Sequence, residues 1–204
     1  MSRTAVAKEK LLNAALGVIR EKGYAATTVD DLCARAGVTK GAFFHHFKSK
    51  DALGVAAAQH WSTVTGALFE RAPYHDHPDP LDRVLAYIDF RRALLDGAIP
   101  EVTCVVGTMV QETYGQHPEI RDACAMSIFG HADTLVDDIH AAMRDRGVTG
   151  NWSAESCCTY AGGAPGRLHL GQGEGDVDVA VEREHLRRYV ELLFSQPVTA
   201  PRRQ

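Results

Sequence analysis

Residues 39 to 50, TKGAFFHHFKSK, bring three lysines, two adjacent histidines and two hydroxyl residues within twelve positions. Ammonium groups and hydroxyls so closely spaced are suited to phosphate oxygens and to the edges of bases. Gly41 and Ala42 are small enough to let a backbone approach such a surface closely. The plainer reading of the same residues is a helix end with a solvated basic face.

Other reactive side chains are scattered. The five cysteines, Cys33, Cys104, Cys124, Cys157 and Cys158, form neither a CxxC pair nor a zinc-like spacing, and read as reduced thiols. Cys104 is the candidate for a thiol or redox response, or for a small helical enzyme. No basic residue lies beside it in sequence to lower its pKa, so a buried small residue is preferred. Cys157 and Cys158 are too close in sequence for a comfortable mutual disulfide, which leaves a cross-link between subunits as the alternative. His75, Asp76 and His77 could seed a metal site, but adjacent ligands in a Pro-rich loop chelate poorly without distant partners. No Ser/Cys–His–Asp arrangement, Gly-rich phosphate loop or paired-carboxylate signature is defensible, so neither an enzyme nor a cofactor or metal is expected.

The elements that would hold the basic segment read as helices. Val6, Leu12, Ala15, Leu16 and Ile19 recur at helical spacing before Gly23 ends the first helix. Thr28 and Asp31 resemble a capping box at the start of a second, short helix, which Gly37 ends. Thr39 caps a third, from about Lys40 to His46, and Ser49 a fourth that runs through Trp61 to about Phe69. Two short helices around a Gly-containing turn are a helix-turn-helix, here about 29–48. Cys33, four residues before the turn glycine, is small enough for a close crossing, and Val38 and Phe43 close the core between the helices. The third helix then offers Thr39, Lys40, Gly41, Ala42, Phe44 and His45 to a major groove, with Lys48 and Lys50 placed for flanking phosphates.

The run GYAATTVDDLCARAGVTKGAFFHHFKSKDAL resembles the DNA-binding domain of the TetR family of bacterial transcription regulators. The resemblance covers residues 5 to 54. It implies an all-α homodimer that binds a palindromic operator, more as repressor than activator, and leaves it when a small molecule enters a larger C-terminal domain. Carried over by position, it places Thr28, Thr39, Lys40, Ala42, Phe44, His45 and Lys50 at DNA contacts, and Phe43 and Phe47 in the core. Phe44 departs from the tyrosine usual in the family, and without a hydroxyl it offers only apolar contact. The domains are then 1–50 for DNA binding and 51–204 for ligand binding and dimerisation.

Charge follows the same division. Of 204 residues with formal net charge −4, residues 1–50 carry nine Lys or Arg against four acids, or +5, which leaves −9 for the rest. A basic head and an acidic body suit one region that meets a polyanion and another that does not. The N-terminus lacks the apolar block of a secretory signal and no run approaches a membrane span, so a cytoplasmic protein is expected.

Beyond residue 54, helices are expected at 80–96, 101–115 and 118–146, and near 153–161 and 178–195. A pocket between them would draw on Trp61, Tyr87, Phe90, Leu94, Cys104, Met109, Tyr114, Met126 and Phe129. Each taken alone reads as plain core. Val181, Leu186, Tyr189, Val190 and Leu193 form an apolar stripe suited to a dimer interface. Residues 159–176 hold six glycines where a long helix would be expected. That segment is read either as a true loop or as a local frame change, since codons for RLHLGQGEGD can, displaced by one nucleotide, spell AFILAKAKA.

Overall fold

The computed structural model describes residues 3–148, 187–192 and 194–195, and every regular element among them is helical. Helix α1 (Arg3–Lys22) is followed by α2 (Val29–Ala36), α3 (Lys40–His46) and α4 (Lys50–Glu70). A 3₁₀ turn at Pro73–Asp76 leads to α5 (Pro80–Ala93), α6 (Ile99–Val102), α7 (Val105–Thr113), α8 (Pro118–Asp133) and α9 (Val136–Asp145). Residues 187–192 and 194–195 are also helical. The expected dimer residues Val181, Leu186 and Leu193, Cys157 and Cys158, and the Gly-rich stretch lie outside the described residues.

The first four helices start and stop where local chemistry dictates. Thr28 Oγ1 accepts from the Asp31 amide at 3.2 Å while the Asp31 carboxylate accepts from the Thr28 amide at 2.8 Å, a complete capping box. At the other end of α2, Gly37 takes φ 65° and ψ 39°. Its amide donates to Ala34 O at 3.3 Å and that of Val38 to Cys33 O at 3.0 Å, the two bonds of a Schellman turn. Thr39 and Ser49 then cap α3 and α4 through the amides of Ala42 and Ala52.

Two long helices anticipated from periodicity are divided. The stretch 101–115 becomes α6 and α7, because Thr103 and Cys104 are extended (ψ 131° and 115°) and the Thr103 hydroxyl bonds back to Ile99 O at 2.6 Å. The stretch 118–146 becomes α8 and α9. There the Thr134 hydroxyl bonds to His131 O at 2.7 Å, and the amides of Thr134 and Leu135 bond three residues back. Hydroxyl back-bonding of this kind competes with the helical ladder and bends it.

Two hydrophobic clusters organise the packing. One joins Leu11, Leu32, Phe43, Phe47 and Leu53 of the first four helices to Val105, Met109 and Ile120 of α7 and α8. The head is therefore seated on the body through a shared core. The other gathers Phe69, Tyr74, Tyr87, Ile88, Leu135 and Ile139 with Val190 and Phe194. The expected domain boundary at residue 50 falls at the first residue of α4, a helix that contributes to both clusters.

Candidate nucleic-acid interface and ligand cavity

Helix α3 divides its residues by face. Phe43 is fully buried against the head and Phe47 is buried beside it, with ring centroids 5.8 Å apart. Phe44 is 55% exposed and stacks edge-on against Phe43 at 5.1 Å. Thr39, Lys40, Gly41 and His45 are exposed beside it, with Ala42 and His46 half-buried. Thr28, at the start of α2, is exposed as well. Lys40 Nζ lies 2.7 Å from Asp30 Oδ1, both side chains being well over half exposed. An exposed pair of this kind is weakened by solvent screening, so the ammonium can swing to another anion at small cost.

Lys50 is placed differently from the other expected contacts. Its Nζ donates to the carbonyls of Tyr24, Ala25 and Thr27 at 3.2, 3.4 and 3.0 Å, and lies 4.5 Å from the centre of the Tyr24 ring. The same α1–α2 loop is held from the body. The Glu112 carboxylate of α7 accepts from the Ala25 amide at 2.7 Å. Tyr24 donates to Asp51 Oδ1 at 2.6 Å, and His117 Nδ1 is 3.2 Å from Asp51 Oδ2. Gly23 makes room for this clamp: its φ is 83°, and a Cβ there would stand 2.3 Å from Glu112 Oε1.

A cavity of about 460 Å³ lies between α1, α4, α5, the α6–α7 corner and α8. That volume suits a drug-sized ligand. Of the expected pocket residues, Trp61, Leu94 and Cys104 line it. Tyr87 is buried behind the wall, Phe90 packs on the Phe69 ring, and Met109 belongs to the core shared by head and body. Tyr114, Met126 and Phe129 are 68%, 78% and 59% exposed and do not line it, because Tyr114 lies in the turn after α7 and the other two sit on the outward face of α8. Among the expected interface residues, Tyr189 is exposed while Val190 is buried in its own protomer's second cluster.

The polar part of the wall escaped the sequence reading. Arg20, Arg91, Glu101 and His131 all line the cavity. The signal was available: Arg20 continues the apolar stripe of Leu12 and Leu16 at four-residue spacing, and Arg91 does the same after Tyr87. Arg91 Nη1 donates to Tyr87 Oη at 2.9 Å, and Tyr87 Oη is 2.9 Å from His131 Nε2. Burial, helped by the charge of Arg91, pushes His131 down to about 4. The imidazole is therefore neutral near pH 7 and shares one hydrogen with the Tyr87 hydroxyl through Nε2. Burial raises the pKa of the Cys104 thiol, which keeps it protonated despite the two nearby guanidiniums.

Residues 11–57 match the model of the bacterial regulatory proteins of the tetR family. A 117-residue segment is 30% identical to the transcriptional regulator AcuR of Cereibacter sphaeroides, covering 52% of this chain and 49% of that one. A 91-residue segment is 42% identical to an HTH-type transcriptional repressor of Mycobacterium tuberculosis, covering 43% of this chain and 46% of that one. The chain thus spans about half the length, or less, of the curated relatives it matches. In overall fold it is similar to a TetR-family regulator from Agrobacterium tumefaciens, with a TM-score of 0.76 at 17% identity over 93% of this chain and 98% of the other. It is similar as well to reduced NemR of Escherichia coli, with a TM-score of 0.73 at 20% identity over 95% of this chain and 100% of the other.

Proposed function

We propose that this chain, a transcriptional regulator of the TetR family, is a cytoplasmic homodimeric repressor that a small molecule releases from a palindromic operator. The observation that carries the reading is the division of α3, with Phe43 buried and Lys40, Phe44 and His45 exposed on a face that none of the described residues covers. In this reading Lys40 and Thr39 meet phosphates, His45 meets a base edge or phosphate, and Phe44 packs on a sugar or a thymine methyl. Gly41 and Ala42 let the backbone come close.

Two copies are needed to read a palindrome, with recognition helices about 34–36 Å apart. Exposed apolar side chains at Tyr189 and Leu192, three residues apart on one helical face, support such pairing. The repressor sign is supported by the mycobacterial relative, which is a transcriptional repressor. Ligand control is supported by the cavity, one wall of which is Arg20 of α1, a helix of the head itself. A cytoplasmic site accords with the lack, among the described residues, of a helix long and apolar enough to cross a membrane.

The test is a gel shift with an inverted repeat from the region upstream of the gene, at several salt concentrations. The expected result is binding that weakens steeply with salt and is lost in the Lys40→Ala/His45→Ala double variant. Unchanged affinity in that variant would refute the contact assignment, and an absence of salt-dependent DNA binding would refute the regulator reading.

A further inference from the structure

The cavity has an apolar bulk and a cationic end. Trp61, Leu68, Phe69 and Ile128 supply broad apolar surface. Most of the neutral polar groups of the wall are already occupied. The hydroxyls of Thr65 and Thr103 donate to Trp61 O at 2.8 Å and Ile99 O at 2.6 Å. His131 is engaged by Tyr87. Glu101 Oε2 is held by the Ala98 amide at 3.0 Å.

The two arginines are not satisfied in this way. Arg20 lies over the Trp61 ring at 5.7 Å, and its Nε is shut off from solvent with no acceptor among the described residues. A buried donor left without an acceptor is costly, and more so on a charged group, so the site holds an unfilled demand for an acceptor. Arg91 spends one N–H on Tyr87 and sits 5.7 Å from the Phe69 ring centre, with no carboxylate paired to it among the described residues. Both guanidiniums line the same cavity, and both lie within electrostatic reach of the Cys104 thiol. Cys104 also precedes the nine-residue α7, whose N-terminal dipole adds a further positive potential there. Glu101 is the single acidic residue on the wall among the described residues. Two fixed cations against one anion leave the cavity one negative charge short.

We propose that the cavity takes an apolar carboxylic acid in its ionised form, the carboxylate held by Arg20 and Arg91 and the hydrocarbon or aromatic body packed against Trp61 and Phe69. The assignment rests on the reading of the cavity as a ligand site and goes beyond it by fixing the ligand's charge. A planar guanidinium is the group that grips a carboxylate through two parallel bonds, and each arginine lines the cavity. Arg20 belongs to α1, so the carboxylate touches the DNA-binding head directly.

The test uses the purified full chain and matched probes: decanoate and 2-naphthoate, their amides, and decyltrimethylammonium. Binding is followed by calorimetry and by quenching of tryptophan fluorescence. The expected result is that each acid binds at least tenfold tighter than its amide, and that the ammonium binds no better than the amide. Arg20→Gln and Arg91→Gln should each erase most of the acid preference while leaving amide binding in place, with a melting curve to confirm folding. The comparison of acid with amide on the unaltered protein needs no variant. Equal or better binding of the amides or the ammonium, or no binding of either acid at millimolar concentration, would overturn the assignment. A parallel gel shift keeps the two readings apart: intact DNA binding with no acid preference sinks the ligand class alone, whereas acid preference without DNA binding sinks the regulator reading alone.

Discussion

Replacing Lys50 by Met separates two roles that sequence and structure give to the same ammonium. A phosphate contact would leave folding unaffected and lower the salt dependence of DNA binding by about 0.9 in log–log slope per protomer. The geometry gives a different result. Nζ makes two part-buried bonds, at 3.0 and 3.2 Å, and a longer one at 3.4 Å to an exposed carbonyl. Hydrogen bonds from a charged donor contribute about 1.5–3 kcal/mol each, which water reduces at a loop rim. The cation over Tyr24 adds about 0.5 kcal/mol. Against these, a cation at the first residue of α4 opposes the helix dipole by about 0.5 kcal/mol. With water cutting the two closer bonds to about 1 kcal/mol each and the ring and dipole contributions cancelling, the balance is a loss of about 2 kcal/mol for Lys50→Met, which keeps the chain length while removing the charge. Urea denaturation measures that loss, and a salt series of gel shifts measures the slope. A loss below about 0.5 kcal/mol together with a slope reduced by about 0.9 per protomer would refute the structural role and restore the phosphate contact.

The remaining predictions concern the helix ends, the core and one buried base. Thr39→Ala removes the cap on the Ala42 amide and should cost about 1 kcal/mol in urea denaturation. Gly37→Ala should cost a similar 1 kcal/mol or so, entirely through backbone strain at φ 65°, since a Cβ there would meet nothing within 4 Å. Phe43→Ala, at a fully buried site, should cost about 3–5 kcal/mol and broaden or abolish the unfolding transition. His131 is held at about 4, below its ordinary value of 6.5, so the unfolded chain takes up this proton first. Stability should therefore fall as pH drops from 6.5 toward 4, a component that His131→Gln removes from a series of thermal melts.

The legible parts of this chain are those whose signals are local. Thr28 with Asp31, Gly37, Thr39 and Ser49 each act on an amide or carbonyl within about five residues, and α2 and α3 appear where those residues place them. The divisions at Thr103–Cys104 and Thr134–Leu135 carry no comparable mark, because a threonine in a helical pattern reveals its back-bond only once the neighbouring helices fix it. The cavity was read through aromatic and sulfur side chains, which found Trp61, Leu94 and Cys104. Met126 and Phe129 have the same composition signal and face outward, since residue type does not say which side of α8 turns inward. The arginines were passed over because a charge was taken to mean solvent.

Arg20 and Lys50 correct that equation in one place. Both are cations of the basic head, and both are turned away from the face that α3 presents: Arg20 into the cavity, Lys50 onto the carbonyls of the α1–α2 loop. Gly23 and Tyr24 begin that loop three residues after Arg20, and Glu112 of α7 holds it from the body. Helix α7 starts at the cavity, where Cys104 precedes it, and reaches Glu112 eight residues later, about 12 Å at 1.5 Å per residue. The cavity and the loop are thus joined twice, by one turn of α1 and by the length of α7. A ligand alters DNA binding only by favouring one arrangement of these contacts over another. The positive charge of the head therefore serves two surfaces, and the +5 counted along the sequence overstates what is available to DNA by at least Arg20 and Lys50.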